Sequence, residues 1–506
     1  MVGRQPAVAQ TAEGGGLHGA QLRGMFLTSK NRLAEGRFGA MFKRLPAFAP
    51  PDTLLENLAK EMVEPDTSDV FLADPNGRLK AGFTFIGQFI DHDITLDTTP
   101  LHLQQADPDA TVNFRTPRYD LDVLYGRGPA DDSQFYDPTD RAKLLLAANV
   151  NGVLDMPRDS AGRAILPEPR NDENLIIVQF HKAVAQFHNR IVDHVRAQGM
   201  RPEWVFETAR RLTRWHYQWA VIHDFLPRFV GEELVPNGAV YKEVAGKPPV
   251  INLNYYKPTN REGRPFMPVE FAVAAYRFGH SLIRPFYVLN DSTLKRNGIP
   301  VFGPEVDPET DFSLNGGRPI PFKPNPDPAL DVNFVIEWRN ILPDLGPPGG
   351  RPPRKIDTKL SSPLSILPGS AVPAPPPEPI RHLAVRNTLR GKRVGLPSGQ
   401  QVARAMRVNV LSNATLGMST DSGWGGEAPL WFYILKEAEL PPYSGERLGP
   451  VGGRIMAETL VGLLQRDPNS YLYLDAAWKP APPIAPAPGK FTFVDLLKFA
   501  RATGDP

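Results

Sequence analysis

The sequence predicts a mainly α-helical protein, built as one large domain with long loops rich in proline and glycine and with very little β-structure. Apolar residues in segment 184–195 recur in steps of three and four, which places them on one face of a helix. The same pattern appears in segments 209–225 and 269–282. Alternating runs are few and short, the best being 251–255 and 332–338, so only marginal strands are expected.

Proline and glycine are concentrated between the helical segments. The chain has 43 glycines and 55 prolines among 506 residues, which is well above average usage. The proline-rich stretches 343–379 and 480–488 show neither a helical nor an alternating pattern of apolar residues, so we expect them to be extended surface excursions. Without internal repeats, we expect an N-terminal extension over 1–80 that wraps the core, a main domain over 81–475, and a proline-rich tail with a short helix over 476–506.

Composition excludes several classes of protein. Hydrophobic residues at 41%, charged residues at 22% and a mean hydropathy of −0.30 exclude a disordered polar chain and a polytopic membrane protein. A net charge of +2 gives no reason to expect nucleic acid as a partner, and no stretch is apolar enough for a transmembrane segment. Residues 1–20 lack the apolar core of a signal peptide, so a cytoplasmic location or leaderless secretion is expected.

The absence of cysteine restricts the available chemistry. With no Cys there is no disulfide, iron–sulfur cluster or thiolate nucleophile, and any oligomer has to form without disulfides. Metal sites must therefore be built from histidine and carboxylates. The chain has no GxSxG, HExxH, P-loop or complete dinucleotide-binding motif, so the other common enzyme classes have no support.

The densest group of polar residues inside an apolar segment lies at 83–93. Gln88, Asp91 and His92 stand at i, i+3 and i+4, so on a helix they share one face. Burying an amide, a carboxylate and an imidazole together is unfavourable unless they serve a purpose. The alternative is a helix end that Asp91 and Asp93 cap, with His92 on the surface.

Two further candidates stand next to apolar runs. Arg170 and Glu173 are spaced i, i+3, which on its own is also the pattern of an ion pair at a helix start. His280 follows Gly279 at the end of a small and apolar segment that looks buried. A buried histidine is more often packed than ligated, yet neutral imidazole is the commonest metal ligand.

A fourth group of residues suits a hard cation. Thr116, Asp120 and Asp122 offer oxygen atoms at alternate positions of a turn, and Asp93 can add another carboxylate. Calcium prefers such oxygen ligands. The alternative is a solvated acidic turn.

In order and spacing these groups resemble the animal-type haem peroxidases of the peroxidase–cyclooxygenase superfamily. The resemblance covers about 82–285 and resumes over about 383–474. It is carried by Gly-Gln-Phe-Ile-Asp-His-Asp at 87–93, the segment 116–126, Arg-Asn-Asp-Glu at 170–173, Arg-Phe-Gly-His at 277–280, and Asn387 with Arg390.

The resemblance implies a role for each residue around the haem. His92 would be the distal base that moves the proton of hydrogen peroxide, with Gln88 beside it to orient peroxide or a halide. Arg170 would stabilise the charge that develops as the O–O bond breaks. His280 would bind the haem iron, and Asn387 would hydrogen-bond its other ring nitrogen. Arg277 and Arg390 match the positions that pair with the haem propionates.

The resemblance also implies covalent haem and a calcium ion. Asp91 and Glu173 match the carboxylates that form ester bonds to haem b. Asn174 stands where some relatives have a methionine, so a sulfonium link is not expected, which argues against strong chloride oxidation. The calcium ligands carry over as Asp93, Thr116, the Arg118 carbonyl, Asp120 and Asp122, the last in place of a common serine.

The implied function is a haem peroxidase. It would reduce hydrogen peroxide and, through an oxoferryl intermediate, oxidise bromide, iodide, thiocyanate or small phenolic donors, and so act in the response to oxidative stress. One alternative is a fatty-acid dioxygenase, which needs a tyrosine three residues before the proximal histidine; position 277 is Arg, and Tyr276 is expected to point elsewhere. The other alternative is a calcium-bearing scaffold without catalytic activity.

Overall fold

The structure is a computed structural model. It describes residues 36–64, 75–96, 113, 115–148, 154–159, 163–259, 265–290, 299–301, 336–365, 367, 381–418 and 423–502.

Helices dominate the described part of the chain. The α-helices are α1 Asp52–Glu61, α2 Gly82–Ile94, α3 Asp122–Tyr125, α4 Leu175–Ala197, α5 Pro202–Ala220, α6 Leu226–Val230, α7 Leu383–Arg393, α8 Gly399–Met406, α9 Leu430–Glu439, α10 Pro450–Arg466, α11 Tyr471–Leu474 and α12 Phe493–Ala500. Five segments are 3₁₀-helices: Ser133–Phe135, Pro169–Asp172, Ala275–Leu282, Trp338–Asn340 and Ser362–Ser365. Val221–Phe225 and Glu270–Ala274 are π-helical turns. The mainly helical fold class is therefore confirmed.

Strands are short and form pairs rather than a larger sheet in the described residues. They are β1 Phe38–Gly39, β2 Ala147–Ala148, β3 Leu154–Asp155, β4 Tyr241–Val244, β5 Lys247–Ile251, β6 Met267–Pro268, β7 Phe286–Tyr287 and β8 Ile299–Pro300. The β1–β6 pair is parallel, and the β2–β3, β4–β5 and β7–β8 pairs are antiparallel. With so few ladder hydrogen bonds, the core depends on helix packing.

The long helices α4 and α5 form the centre of the fold. The predicted apolar face over 184–195 is buried, as expected from its period. Gly199 has a φ of +80° and makes the turn between the two helices, and Pro202 opens α5 at a position where its missing N–H is harmless. Helix α12 packs on α4, with the rings of Phe180 and Phe493 5.8 Å apart.

The predicted helix over 269–282 is helical but not α-helical. A π-turn over Glu270–Ala274 is followed by a 3₁₀-helix over Ala275–Leu282, and Ala274 marks the junction with φ −127° and ψ −73°. Residues after the junction are therefore rotated differently about the axis than a regular α-helix would place them.

The two alternating runs are only weakly extended. In segment 251–255 the strand β5 ends at Ile251, so this prediction is largely wrong. In segment 332–338 the residue Trp338 begins a 3₁₀-helix, so a strand there would not include it. Positions 332–335 lie outside the described residues. An irregular segment whose alternate side chains are buried has the same alternation of apolar and polar residues as a strand.

Residues 350–365 of the proline-rich stretch 343–379 are not a surface excursion, whereas residues 343–349 are exposed or partly exposed. Ile356 and Leu360 are fully buried, and the chain pairs with the N-terminal segment through bridges at Val63–Leu360 and Pro75–Arg354. The spaced apolar residues anchor an extended chain that has no periodicity. Residues 366 and 368–379 lie outside the described part.

The N-terminal and C-terminal segments contribute to the same core. Phe38 and Leu55 are buried, and the carboxylate of Glu270 accepts hydrogen bonds from the backbone of Met41 and Phe42 at 2.9 Å. These contacts agree with an N-terminal segment that wraps the main domain. No described helix combines the length and the apolar composition that crossing a membrane requires.

Candidate active site

Polar side chains from distant parts of the chain line one pocket between α2, the 3₁₀-helix Ala275–Leu282 and α7. The structure brings into it these residues predicted from the sequence: Gln88, Asp91, His92, Arg170, Glu173, Arg277, His280, Asn387 and Arg390. Apolar side chains such as Phe83, Phe229 and Leu383 complete the lining. A mostly apolar cleft with a few convergent polar groups has the character of a ligand or cofactor site.

His92 lies on α2 and is fully buried, so the alternative of a surface histidine is wrong. Its Nδ1 lies 2.8 Å from Oδ1 of Asn171, a residue that the sequence analysis missed. Its Nε2 is buried and has no hydrogen-bond partner among the described residues. Burial, followed by the charge of Arg170, lowers the pKa of His92 to about 3, which keeps the ring neutral.

Arg170 is held in place by backbone carbonyls and by a carboxylate. Its Nη2 donates to the carbonyl oxygens of His92 at 2.9 Å and Thr95 at 2.8 Å, both at the end of α2. Its ion-pair partner is Glu168, at 2.9 Å, and not Glu173 as the i, i+3 spacing had suggested. The guanidinium therefore joins the 3₁₀-helix Pro169–Asp172 to α2.

Glu173 and Gln88 form a hydrogen-bonded pair in the pocket. The amide nitrogen of Gln88 donates to Oε1 of Glu173, and Asn174 donates to Oε1 of Gln88 at 3.4 Å. Oε2 of Glu173 is buried without a hydrogen-bond partner among the described residues. Burial raises the pKa of Glu173 well above its usual value. Buried carboxyl oxygens normally have a hydrogen-bond partner, so this oxygen indicates contact with a bound group outside the described residues.

Asp91 lies one turn from Gln88 on the same face of α2, as the spacing predicted. Thr95 donates to its Oδ1 at 2.9 Å. Burial raises the pKa of Asp91, although the charges of Arg170 and Arg277 oppose this effect. Both carboxyl groups therefore sit in surroundings that favour their neutral form.

His280 and Asn387 contact each other in the pocket that His92 also lines. Nδ1 of His280 lies 2.8 Å from the amide nitrogen of Asn387, and Arg277 donates to the amide oxygen at 3.4 Å. Burial, followed by the charge of Arg277, lowers the pKa of His280 to about 3, so the imidazole is neutral as a metal ligand must be. A Cβ added at Gly279 would meet no described atom within 4 Å, so the pocket is open beside this histidine.

Arginine side chains line the pocket near α7. Arg390 and Arg277 lie there as predicted, and Arg386, one helical turn before Arg390, joins them. Burial and the charge of Arg390 lower the pKa of Arg386 to about 10. The i, i+4 spacing of Arg386 and Arg390 was the available sequence signal for this residue. The cluster suits a ligand with carboxylate groups.

The predicted cation ligands converge beside α2. Carboxylate oxygens of Asp93, Asp120 and Asp122 lie within 4.8 Å of one another. Asp93 is fully buried, and neither of its oxygens accepts a hydrogen bond of ordinary geometry from the described residues. Burial, and then repulsion by Asp120 and Asp122, raises the pKa of Asp93 well above its usual range. Three carboxylates this close together have the arrangement of a hard-cation site.

The remaining residues of the predicted cation loop lie beside this cluster. Thr116 donates through its hydroxyl to Oδ2 of Asp120 at 2.7 Å. The backbone N–H of Arg118 donates to the carbonyl of Thr116 at 2.8 Å, which closes the turn that holds both residues. These two hydrogen bonds therefore contribute to the shape of the loop.

A chain of buried ion pairs connects the carboxylate cluster beside α2 to Arg170. Arg115 contacts Asp122 at 3.0 Å and also pairs with Glu168, which in turn pairs with Arg170. Sequence analysis missed Arg115 and Glu168, because the contact between them joins segments 53 residues apart. The chain explains how Arg170 can be buried at a fixed position.

Tyr276 also lines the pocket, so the expectation that it points elsewhere is wrong. Its hydroxyl donates to the carbonyl of Gly87 on α2 at 2.9 Å. The expectation assumed α-helical geometry, whereas the π-turn before Ala275 changes the direction of the side chains that follow.

Comparison with known proteins gives a consistent family. Residues 101–312 match the model of the family described as animal haem peroxidase. The chain is similar to chorion peroxidase from Aedes aegypti, with 30% identity over 122 residues, which is 23% of this chain and 14% of that protein. It is also similar to human thyroid peroxidase, with 23% identity over 221 residues, which is 39% of this chain and 22% of that protein. These similarities span less than a quarter of each curated relative.

Solved structures share the fold over most of the chain. Peroxidase A from Dictyostelium discoideum superposes with a TM-score of 0.58 at 16% identity and covers 97% of both chains. A fatty acid α-dioxygenase from Oryza sativa superposes with a TM-score of 0.54 at 14% identity and covers 91% of this chain and 79% of the other. At these identities the likeness concerns the fold alone.

Proposed function

We propose that this chain is a member of the animal haem peroxidase family, which its match over residues 101–312 supports, and that it binds haem b and uses hydrogen peroxide to oxidise small donor molecules. The observation that carries the proposal is the pair of neutral histidines that line one pocket. Nε2 of His92 has no hydrogen-bond partner among the described residues, and Asn387 contacts Nδ1 of His280. One histidine suits an iron ligand and the other suits a base above it.

The residues of the pocket fit a haem. His280 would hold the iron, and the space beside Gly279 leaves room for the ring on that side. Arg277 and Arg390, with Arg386 nearby, would pair with the propionates. When Nε2 of His280 binds a metal, its Nδ1 carries the proton, so Asn387 would turn its amide oxygen toward it and keep the imidazole basic.

The distal residues support proton transfer and charge stabilisation. The iron of a bound haem supplies the redox chemistry of peroxide reduction and donor oxidation. His92 would take the proton of hydrogen peroxide at Nε2 and return it to the leaving oxygen. Arg170, fixed by Glu168, would supply positive charge for that oxygen, and Gln88 would orient the peroxide.

We further propose that Asp91 and Glu173 form ester bonds to the haem. The unsatisfied oxygen of Glu173 and the raised pKa of both carboxyl groups support a covalent role rather than a charged one. Asn174 caps α4 through its side chain and has no sulfur, so a third link is not proposed. Without it, bromide, iodide, thiocyanate and phenolic donors are better candidates than chloride.

We also propose that calcium binds between Asp93, Asp120 and Asp122, with Thr116 and the Arg118 carbonyl completing the ligands. The unpaired oxygens of Asp93 support this assignment. Because Asp93 directly follows His92, the ion would hold the end of α2 and hence the distal histidine in place.

A fatty-acid dioxygenase is the second candidate. It is favoured by Tyr276, whose ring lines the pocket with its hydroxyl on the distal helix, and by the apolar lining around Phe229 and Leu383. It is disfavoured by Arg277 at the position where that branch of the superfamily needs a tyrosine. Oxygen uptake with a long-chain fatty acid and no added peroxide, lost in Tyr276→Phe, would favour this candidate.

The proposal is tested by supplying the protein with haemin and recording its optical spectrum before and after peroxide is added. We expect a Soret band that shifts with peroxide, no bound haem in His280→Ala, and bound haem without the rapid shift in His92→Ala. His194→Ala, on α4 outside the pocket, is the matched control and should behave as the wild type. A wild-type protein that binds no haem would leave the calcium scaffold as the remaining function.

A further inference from the structure

We propose that Asn171 is a positioning residue that fixes the tautomer of His92, so that the ring presents a bare Nε2 to the pocket. The inference rests on the proposed function, in which His92 is the base, but it concerns residues that neither the sequence analysis nor the comparisons single out. It depends on a hydrogen-bonded row of three side chains, His92, Asn171 and His181.

Asn171 is fixed between the two rings. It is fully buried in the 3₁₀-helix Pro169–Asp172, and its backbone N–H donates to the carbonyl of Glu168 at 2.9 Å. Its Oδ1 lies 2.8 Å from Nδ1 of His92, and its Nδ2 lies 3.1 Å from Nδ1 of His181. A side-chain amide has an acceptor at one end and donors at the other. With this direction of the amide, Nδ1 of His92 must carry a proton and Nδ1 of His181 must not.

The direction of the amide decides which nitrogen of His92 carries the proton. With Oδ1 toward His92, its Nδ1 must hold the proton and donate it, which leaves a lone pair at Nε2. Turning the amide over would place a donor against Nδ1 and move the ring proton to Nε2. A ring protonated there cannot accept a proton from a ligand in the pocket.

His181 offers the acceptor that this direction of the amide needs. It lies on α4, is 1% exposed, and packs its ring edge-on against Phe89 of α2 at 6.1 Å. Burial lowers the pKa of His181 to about 4, so the ring is neutral and can accept a hydrogen bond from the amide at Nδ1. The amide of Asn171 thereby links a histidine of α4 to His92 of α2.

The first test reads the tautomer directly and needs no haem. The protein without haem is labelled with ¹⁵N-histidine, and His92 is assigned by the signals that disappear in His92→Gln. We expect Nδ1 of His92 to be protonated and Nε2 unprotonated in the wild type. Asn171→Leu, which has a similar volume and no polar atoms, should move the proton to Nε2 or mix the two forms. Asn171→Asp keeps an acceptor for His92 whether or not it is ionised, so it should retain the wild-type pattern.

The second test uses the protein loaded with haem. Asn171→Leu should slow the peroxide-induced shift of the Soret band on the order of 10- to 100-fold, the range seen when a residue that orients a functional histidine is lost, while Asn171→Asp stays within a few-fold of the wild type. A wild-type His92 protonated at Nε2, or an Asn171→Leu protein with unchanged tautomer and unchanged rate, overturns the proposal. If instead His92→Ala reacts as fast as the wild type, the proposed role of His92 fails, and the tautomer result still decides the role of Asn171.

Discussion

Both carboxylate oxygens of Glu168 accept hydrogen bonds from the guanidinium of Arg170, Oε1 from Nε and Oε2 from Nη2, each at 2.9 Å. The backbone N–H of Arg170 also donates to Oε1 of Glu168 at 3.0 Å. Burial raises the pKa of Glu168, but the charges of Arg170 and Arg115 outweigh it and hold the pKa well below its usual range. Arg170 is therefore placed by an ionised carboxylate deep in the fold.

Replacing Glu168 by Gln should destabilise the protein and slow its reaction with peroxide. The substitution leaves the guanidinium of Arg170 buried without a counter-charge and leaves Arg115 with Asp122 as its ion-pair partner, a change that typically costs about 3–5 kcal/mol. Urea unfolding of the two proteins measures the loss. Glu270→Gln is the matched control, because Glu270 is equally buried and accepts backbone N–H groups from Met41 and Phe42. Equal unfolding midpoints for Glu168→Gln and the wild type would contradict this account.

Calcium should stabilise the protein through the cluster around Asp93. An ion that binds only the folded state at 100 times its Kd adds about 2.7 kcal/mol, so the melting temperature should rise with added Ca²⁺ and fall after chelation. Asp93→Asn should remove most of this response, because it removes a buried carboxylate whose oxygens accept no hydrogen bond of ordinary geometry from the described residues. Asp137→Asn, in an exposed turn that already accepts hydrogen bonds from Thr139, is the control. A response to Ca²⁺ that survives Asp93→Asn would place the ion elsewhere.

The features that could be predicted from the sequence are the local ones. The face shared by Gln88, Asp91 and His92 follows from helical spacing within a single segment, and the structure confirms it. The contact between Arg115 and Glu168 depends on how two irregular segments, 53 residues apart, come together in the fold. A local pattern of apolar and polar residues does not indicate such a long-range contact, so the residues that hold Arg170 were missed.

The wrong expectations have physical reasons of the same kind. Tyr276 was expected to point elsewhere because an α-helix rotates each residue by a constant angle, and the junction at Ala274 breaks that regularity. The proline-rich stretch was expected on the surface because its chain has no period. Ile356 and Leu360 instead bury an extended chain against the core, which depends on tertiary contacts and leaves no mark in local sequence.

Stability should fall as the pH rises from about 4.5 to about 8 because of Glu437. Its carboxylate accepts hydrogen bonds from Val451 at 2.9 Å and Gly452 at 3.4 Å, yet burial outweighs them and raises its pKa to about 8. The folded protein therefore keeps a proton that the unfolded chain loses near pH 4.5, so the stability present below that pH is lost as the pH approaches 8. Over this range the loss should be on the order of a few kcal/mol.

The measurement is the difference in unfolding free energy between the wild type and Glu437→Gln across this pH range. Gln keeps an acceptor for the two backbone groups and has no proton to lose, so its curve should be flatter by that amount. Glu439→Gln, whose carboxylate pairs with Lys436 on the same helix α9 and is more exposed, is the matched control. Parallel curves for Glu437→Gln and the wild type would show that Glu437 ionises normally.

Covalent attachment of haem should depend on both Asp91 and Glu173. After turnover with peroxide, acid–organic extraction should leave the haem on the wild-type polypeptide. Asp91→Asn and Glu173→Gln should each retain haem through the remaining carboxyl group, and the double variant should release all of it. Asp172→Asn is the control, since Asp172 precedes Glu173 but pairs with Arg158 outside the pocket. Haem that is extracted from the wild type while it still reacts with peroxide would exclude the ester bonds and leave the peroxidase intact.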